Sequence, residues 1–117
     1  KAGGLTILHN REESVPHILA SADLGVRVIS VGPGIDIARA KEALRGRACL
    51  AGNLDPIRVL LNGTAAEVEA EAGRIVRAAA PGGGFIFNTG EMNPRDVPVE
   101  NMKALVRGAR AAGRAVV

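Results

Sequence analysis

The sequence has no tryptophan or tyrosine and only two phenylalanines. Base stacking would therefore rest on Phe85 and Phe87, and both fall inside an apolar run. That argues against a nucleic-acid partner. The single cysteine, Cys49, excludes an internal disulfide framework and fits a reducing, cytoplasmic setting. Its place within an apolar run is that of a small core residue. No apolar run approaches the roughly 20 residues of a membrane span, so no membrane is expected as a partner. Basic runs are absent as well. The 15 Lys and Arg exceed the 12 Asp and Glu by three, but they are dispersed as on solvated helix faces. The start, Lys1-Ala2-Gly3-Gly4, has no signal-peptide pattern. It leads straight into an apolar run, as the interior of a larger domain would.

What the chain does have is a repeated plan. Four short apolar runs each end in a polar or glycine-rich tip. Leu5–Leu8 ends in His9 and Asn10. Val26–Val31 ends in Gly32-Pro33-Gly34. Ala48–Ala51 ends in Gly52-Asn53-Leu54-Asp55. Phe85-Ile86-Phe87 ends in Asn88-Thr89-Gly90-Glu91. A strand of three apolar residues has no polar face, so Phe85–Phe87 is expected to be covered on both sides, as in a parallel sheet. Polar residues gathered at the C-terminal ends are where α/β folds place their chemistry.

Helical segments separate the runs. Ser14 caps the first, with Pro16 in its first turn and Gly25 at its end. Val15, Ile18, Leu19, Ala22 and Leu24 form its apolar stripe. Asp36 caps a helix over Ile37–Leu44. Asn53-Leu54-Asp55-Pro56 opens a short helical segment through Leu61. Thr64 and Glu67 form a capping box for a helix over Ala65–Ala80. The last helix spans about Pro98 to Ala112, with Val99, Met102, Leu105, Val106 and Ala109 as its buried stripe.

Strand–helix repeated four times predicts an α/β fold with a parallel sheet. A complete (β/α)8 TIM barrel takes about 250 residues. The 117 residues are therefore read as one piece, four consecutive βα units forming half a barrel, with the other half absent. Val31-Gly32-Pro33-Gly34 is a poor phosphate loop, because Pro33 removes a backbone donor and a third glycine is missing.

Three runs carry a family resemblance: Ala51-Gly52-Asn53-Leu54-Asp55-Pro56, Phe85-Ile86-Phe87-Asn88-Thr89-Gly90, and Pro98-Val99-Glu100-Asn101 with Ala104-Leu105-Val106. Together they resemble the C-terminal part of the uroporphyrinogen decarboxylase superfamily, which includes methyltransferases that work with corrinoid cofactors. Ile29–Asp36 and Leu60–Thr64 are similar to the methyltransferase branch in particular. The resemblance implies the C-terminal half of the barrel. For the intact protein it implies an enzyme that moves a methyl group to or from a corrinoid, with a corrinoid protein as a possible partner. The alternatives are decarboxylation of uroporphyrinogen to coproporphyrinogen without any cofactor, and an inactive half barrel that serves binding or assembly.

The same resemblance implies a site and shows where this chain departs from it. Coenzyme-M-type methyltransferases bind zinc through His-x-Cys after one strand and Cys after the last. The zinc makes an acceptor thiol a thiolate. Here His9 matches the histidine, Arg11 stands at the first cysteine and Glu91 at the second. Arginine has no lone pair to give a metal, whereas glutamate does. If zinc binds, His9 and Glu91 are its expected ligands, and Glu12 is a chemically possible third, since zinc accepts nitrogen and carboxylate oxygen. The decarboxylases end their last strand in a Leu-Gly-His-Gly-like run, where this chain has Thr89-Gly90-Glu91-Met92. His9 and Glu91 are the catalytic candidates, and Asn10, Arg11, Asn53, Asp55 and Asn88 the substrate- or cofactor-binding ones.

Each has a plainer reading. His9 could make a structural hydrogen bond. His9, Arg11 and Glu91 could form a carboxylate-binding network with no metal. Asn53 and Asp55 fit an Asx turn before Pro56. An isolated half barrel would also leave two edge strands and an open inner face, lined by Ile7, Val28, Leu50 and Ile86 or their alternates in the pleat. The partner would then be the N-terminal half barrel or a second copy of the chain.

Overall fold

The computed structural model describes residues 3–12 and 14–116, with the backbone alone at residues 10–12. Its elements are β1 (Ile7–Glu12), α1 (Val15–Asp23), β2 (Val28–Val31), α2 (Ile37–Leu44), β3 (Cys49–Leu54), a π-helical turn (Pro56–Leu61), α3 (Ala65–Ala79), β4 (Phe85–Thr89) and α4 (Val99–Val116). The four strands pair in parallel in chain order β1-β2-β3-β4. This is the partial α/β barrel the alternation predicts.

Local chemistry sets the element ends. The Ser14 hydroxyl accepts from His17 N–H at 3.4 Å to start α1, and Gly25, at φ +79°, follows its last turn. Asp36 Oδ1 accepts from Ala38 and Arg39 N–H to start α2. Thr64 and Glu67 close a reciprocal capping box, with Thr64 N–H donating to Glu67 Oε2 at 2.7 Å and Glu67 N–H to Thr64 Oγ1 at 3.2 Å.

The strands differ from the sequence reading in a consistent way. β1 begins at Ile7 instead of Leu5 and runs on through His9, Asn10, Arg11 and Glu12. β3 begins at Cys49 and runs on through Gly52, Asn53 and Leu54. The polar tips are therefore themselves strand residues. Parallel pairing demands only backbone donors and acceptors, which polar residues supply as well as apolar ones.

The helices form one core with alternate strand positions: Ile29 and Val31 of β2, Leu50 and Leu54 of β3, with Phe85 and Phe87 of β4 packed against it. Leu50 is therefore on the helix side, not on the open face. On that other face the register aligns Ile7, Val28 and Cys49 in one row, and Ser30, Ala51 and Ile86 in the next. Ile7 is 63% exposed and Ile86 48%. Within this chain β4 is half-covered, with Phe85 and Phe87 packed on the core and Ile86 on the other face, where Val28, Ser30 and Ala51 of the inner strands are nonetheless buried.

The apolar stripe on α4 also differs. The buried residues are Asn101, Ala104, Leu105, Gly108 and Ala112, while Val99, Met102 and Val106 are exposed. α4 packs chiefly on α3 and the π-helical turn. Small side chains let the α3 and α4 backbones approach closely, so the bulkier residues are left facing outward. On α1, likewise, Ile18 and Ser21 are buried and Leu24 is exposed.

Gly108 is the tightest point of the α3–α4 contact. A Cβ there would lie 2.2 Å from the Glu69 carbonyl oxygen, a backbone atom that cannot rotate away. Gly108→Ala is expected to cost about 1–3 kcal/mol by overpacking. Gly113→Ala, on the same helix with nothing within 4 Å of the new carbon, should be neutral or stabilising. Thermal melts of the two variants side by side check this. Equal melting temperatures would contradict the close packing.

Candidate functional site at the C-terminal edge of the sheet

The parallel register brings the strand tips to one edge, with Asn53 directly opposite Asn88 and Leu54 opposite Thr89. Gly90 N–H donates to the Leu54 carbonyl at 2.8 Å and carries the β3–β4 ladder one residue further. Gly90 also presses on the loop after β2. A Cβ there would lie 2.8 Å from both Pro33 Cδ and Pro33 N, so no larger residue fits. Thr89 Oγ1 donates to the Glu91 carbonyl at 2.8 Å and turns the chain at the tip.

Asn53 is buried, and its Nδ2 donates to the carbonyls of Gly32 at 3.0 Å and Ile35 at 2.8 Å. It fastens the loop after β2 to β3. Asp55 Oδ1 accepts from Ile57 N–H at 2.9 Å and Arg58 N–H at 2.8 Å, which caps the π-helical turn. Both candidates thus carry backbone-positioning bonds, the plainer of their two readings.

Asn88 is different. Its Oδ1 is buried and finds no hydrogen-bond donor among the described residues. A side-chain carbonyl buried without a donor normally costs about 1–3 kcal/mol, so this one calls for an explanation.

His9 is exposed on β1, and Glu91 is half-buried just beyond β4 with a polar partner of its own. The side chains of Asn10, Arg11 and Glu12 lie outside the described residues, although their backbone belongs to β1. Among the described residues no group of three His, Cys, Asp or Glu is placed to hold a metal ion. Of the expected zinc set, His9 and Glu91 are described side chains and Glu12 is not.

Two residues of this region escaped sequence reasoning. Gly90 reads as a turn glycine until the Pro33 contact is seen. Asn101 lies in the buried stripe of α4, where its Nδ2 donates to the carbonyls of Leu60 and Gly63, both at 2.8 Å. Its only sequence signal is an asparagine three residues before the small residue Ala104.

Among the described residues no helix is long and apolar enough to cross a membrane.

A parallel βα sheet with its polar residues along one edge defines a partial α/β barrel of the kind that carries chemistry at the strand tips. The family model "Uroporphyrinogen decarboxylase (URO-D)" matches residues 1–112, and the chain belongs to that family. It is 40% identical over 88 residues to the uroporphyrinogen decarboxylase of Chlorobium phaeovibrioides and 36% identical over 88 residues to that of Chlorobaculum tepidum. Each match covers 73% of this chain and 24% of the relative. A methyltransferase from Methanosarcina mazei superposes with a TM-score of 0.81 at 30% identity, over 93% of this chain and 32% of that one. The chain thus spans about a quarter of the length of these decarboxylases and about a third of the methyltransferase.

Proposed function

We propose that the intact protein transfers a methyl group to or from a corrinoid, with this chain supplying the C-terminal half of the barrel. The observation that carries the reading is the superposition on the methyltransferase over 93% of the chain. The site is compatible with it. Gly90-Glu91 places a carboxylate where the decarboxylases carry a histidine. In this reading the Asn88 amide binds a polar group of the substrate. His9 and Glu91 hold or move the proton of the methyl acceptor, and Asn10 and Arg11 contact the substrate's anionic groups. Asn53 and Asp55 position the tips. The corrinoid is the methyl carrier and enters as a substrate, presented by a corrinoid protein in the cytoplasm.

Decarboxylation of uroporphyrinogen is the second reading. It is favoured by the 40% identity to a uroporphyrinogen decarboxylase over 73% of the chain.

The test uses the intact protein with methylcob(III)alamin and a thiol as methyl acceptor, following the cob(I)alamin that leaves as the methyl group passes from cobalt to sulfur and the thiol proton is released. Corrinoid turnover is expected. Conversion of uroporphyrinogen to coproporphyrinogen with no corrinoid turnover would overturn the proposal. The 117-residue chain alone should do neither. Asn88→Leu should lower kcat/KM by roughly 10- to 100-fold, the loss of one substrate hydrogen bond. Its melting temperature should hold or rise, because the lost Oδ1 has no partner among the described residues. Any zinc in the purified protein should be lost in His9→Ala, as elemental analysis would show. Equal zinc in both would remove His9 from the site.

A further inference from the structure

The opposite, N-terminal edge of the sheet holds a polar cavity of about 600 Å3. Arg27, Lys41, Arg47 and Cys49 line it, together with the glycine run 82–84 that leads into β4. Three cations converge there. Among the described residues, Asp23 is the anion paired with them, through Arg47, which leaves Arg27 and Lys41 as the excess positive charge of the cluster. Like charges held together around a cavity repel one another unless an anion joins them.

The donors are also under-used. The Lys41 ammonium donates to the Gly83 carbonyl, which fixes it at the cavity wall, and an ammonium has two further N–H groups to give. The Arg47 guanidinium spends one nitrogen on Asp23, and a guanidinium has five N–H donors in all. Arg27 is exposed and is carried into β2 by its own backbone N–H, which donates to the Thr6 carbonyl and hydroxyl. Gly82, Gly83 and Gly84 all have positive φ, +79°, +75° and +65°, so the opposite wall is bare backbone. That leaves room for a tetrahedral group beside Lys41.

We infer that this cavity binds a small oxyanion of the phosphate or diphosphate class, held by Arg27, Lys41 and Arg47. Guanidinium groups match phosphate oxygens in pairs, and an ammonium adds a point charge. The cavity is large enough for a diphosphate. The site is independent of the chemistry proposed for the strand tips, which lie at the other edge of the sheet.

Cys49 supplies a built-in reporter. Burial pushes its thiol up from the ordinary value, and the nearby Lys41 ammonium pulls it back down. An anion beside Lys41 covers the thiol and offsets that pull, so both effects slow its alkylation. The experiment is alkylation of the full 117-residue chain by N-ethylmaleimide across a pyrophosphate titration, at constant ionic strength with chloride as the balancing salt. Isothermal titration calorimetry with the same probe runs alongside. The expected result is a saturable slowing of Cys49 modification. Its half-point should match the calorimetric Kd and move at least roughly tenfold higher in Lys41→Gln and Arg27→Gln, the weight of one charge-assisted contact. Arg110→Gln, an exposed arginine on α4, should leave the half-point unchanged. Alkylation rates and heats unaffected by pyrophosphate in the parent chain would overturn the inference. So would a response that Arg110→Gln weakens as much as Lys41→Gln does. Inorganic phosphate in place of pyrophosphate reports whether one phosphoryl group suffices.

Discussion

Sedimentation equilibrium of the 117-residue chain at tens of micromolar is expected to show a dimer or a larger assembly, not a 12.0 kDa monomer. The sheet ends in β1 on one side and β4 on the other, and each leaves a row of backbone N–H and C=O groups without a neighbouring strand. Ile7 and Ile86 stand on the face that the helices do not cover, 63% and 48% exposed. Val99, Met102 and Val106 add a second exposed apolar strip on α4. Soluble monomers rarely leave contiguous apolar patches larger than a few hundred Å2 bare. At about 25 cal/mol per Å2, burying some 400 Å2 is worth on the order of 10 kcal/mol. Lost rotational and translational freedom sets about 4–15 kcal/mol against that, so the outcome depends on both joints closing together.

A two-fold axis along the barrel would provide that. β4 of one copy would lie beside β1 of the other at two equivalent joints, and eight parallel strands would close a barrel with no edge left. The same surfaces would accept an N-terminal half barrel, which would displace the second copy. Ile7→Lys together with Ile86→Lys puts a charge on each edge strand and on the open face. That double variant is expected to sediment near the monomer mass. A parent chain that sediments as a monomer with a sharp thermal transition would mean that the open face is covered in some other way.

The alternation of apolar runs and helical segments gave away the order and parallel pairing of the strands, because each run is too short for a helix and each intervening stretch too long for a hairpin. The caps were equally legible. Ser14, Asp36 and the Thr64–Glu67 box act on backbone groups within three residues, so their sequence context is their whole context. The α4 stripe was not legible. Val99, Met102 and Val106 look like a core face by hydrophobicity, but the helix is turned by the Gly108–Glu69 approach, a contact between distant segments. The site was half legible. Parallel strands fix which ends gather, so Asn53 and Asn88 could be placed at one edge. Hydrogen-bond partners on other segments decide which asparagine is a fastener and which is available to a ligand, and no local pattern distinguishes the two.

Asn53 is where that distinction has the largest measurable consequence. Its Nδ2 holds two carbonyls, Gly32 and Ile35, from a segment some twenty residues earlier, and the side chain is buried. Asn53→Ala removes both donors and leaves two acceptors short of a partner in a place water reaches poorly. At about 1–3 kcal/mol for an unsatisfied buried group, the loss should be about 2–4 kcal/mol. Asn53→Asp should be worse although it keeps the shape. A carboxylate has no N–H to offer, and its charge would face two carbonyl oxygens in a buried site. Such a carboxyl is forced toward its protonated form, so its folded pKa lies above the unfolded one. The unfolded state then holds fewer protons than the folded state between those two values, and the variant should lose stability as pH rises through the carboxylate range. Chemical denaturation of both variants at pH 4 and pH 8, at matched protein concentration, measures this. The Asp variant should fall below the Ala variant at pH 8 and approach it at pH 4. If both match the parent chain, Asn53 holds nothing in the fold, and its amide returns to the candidates for ligand contact.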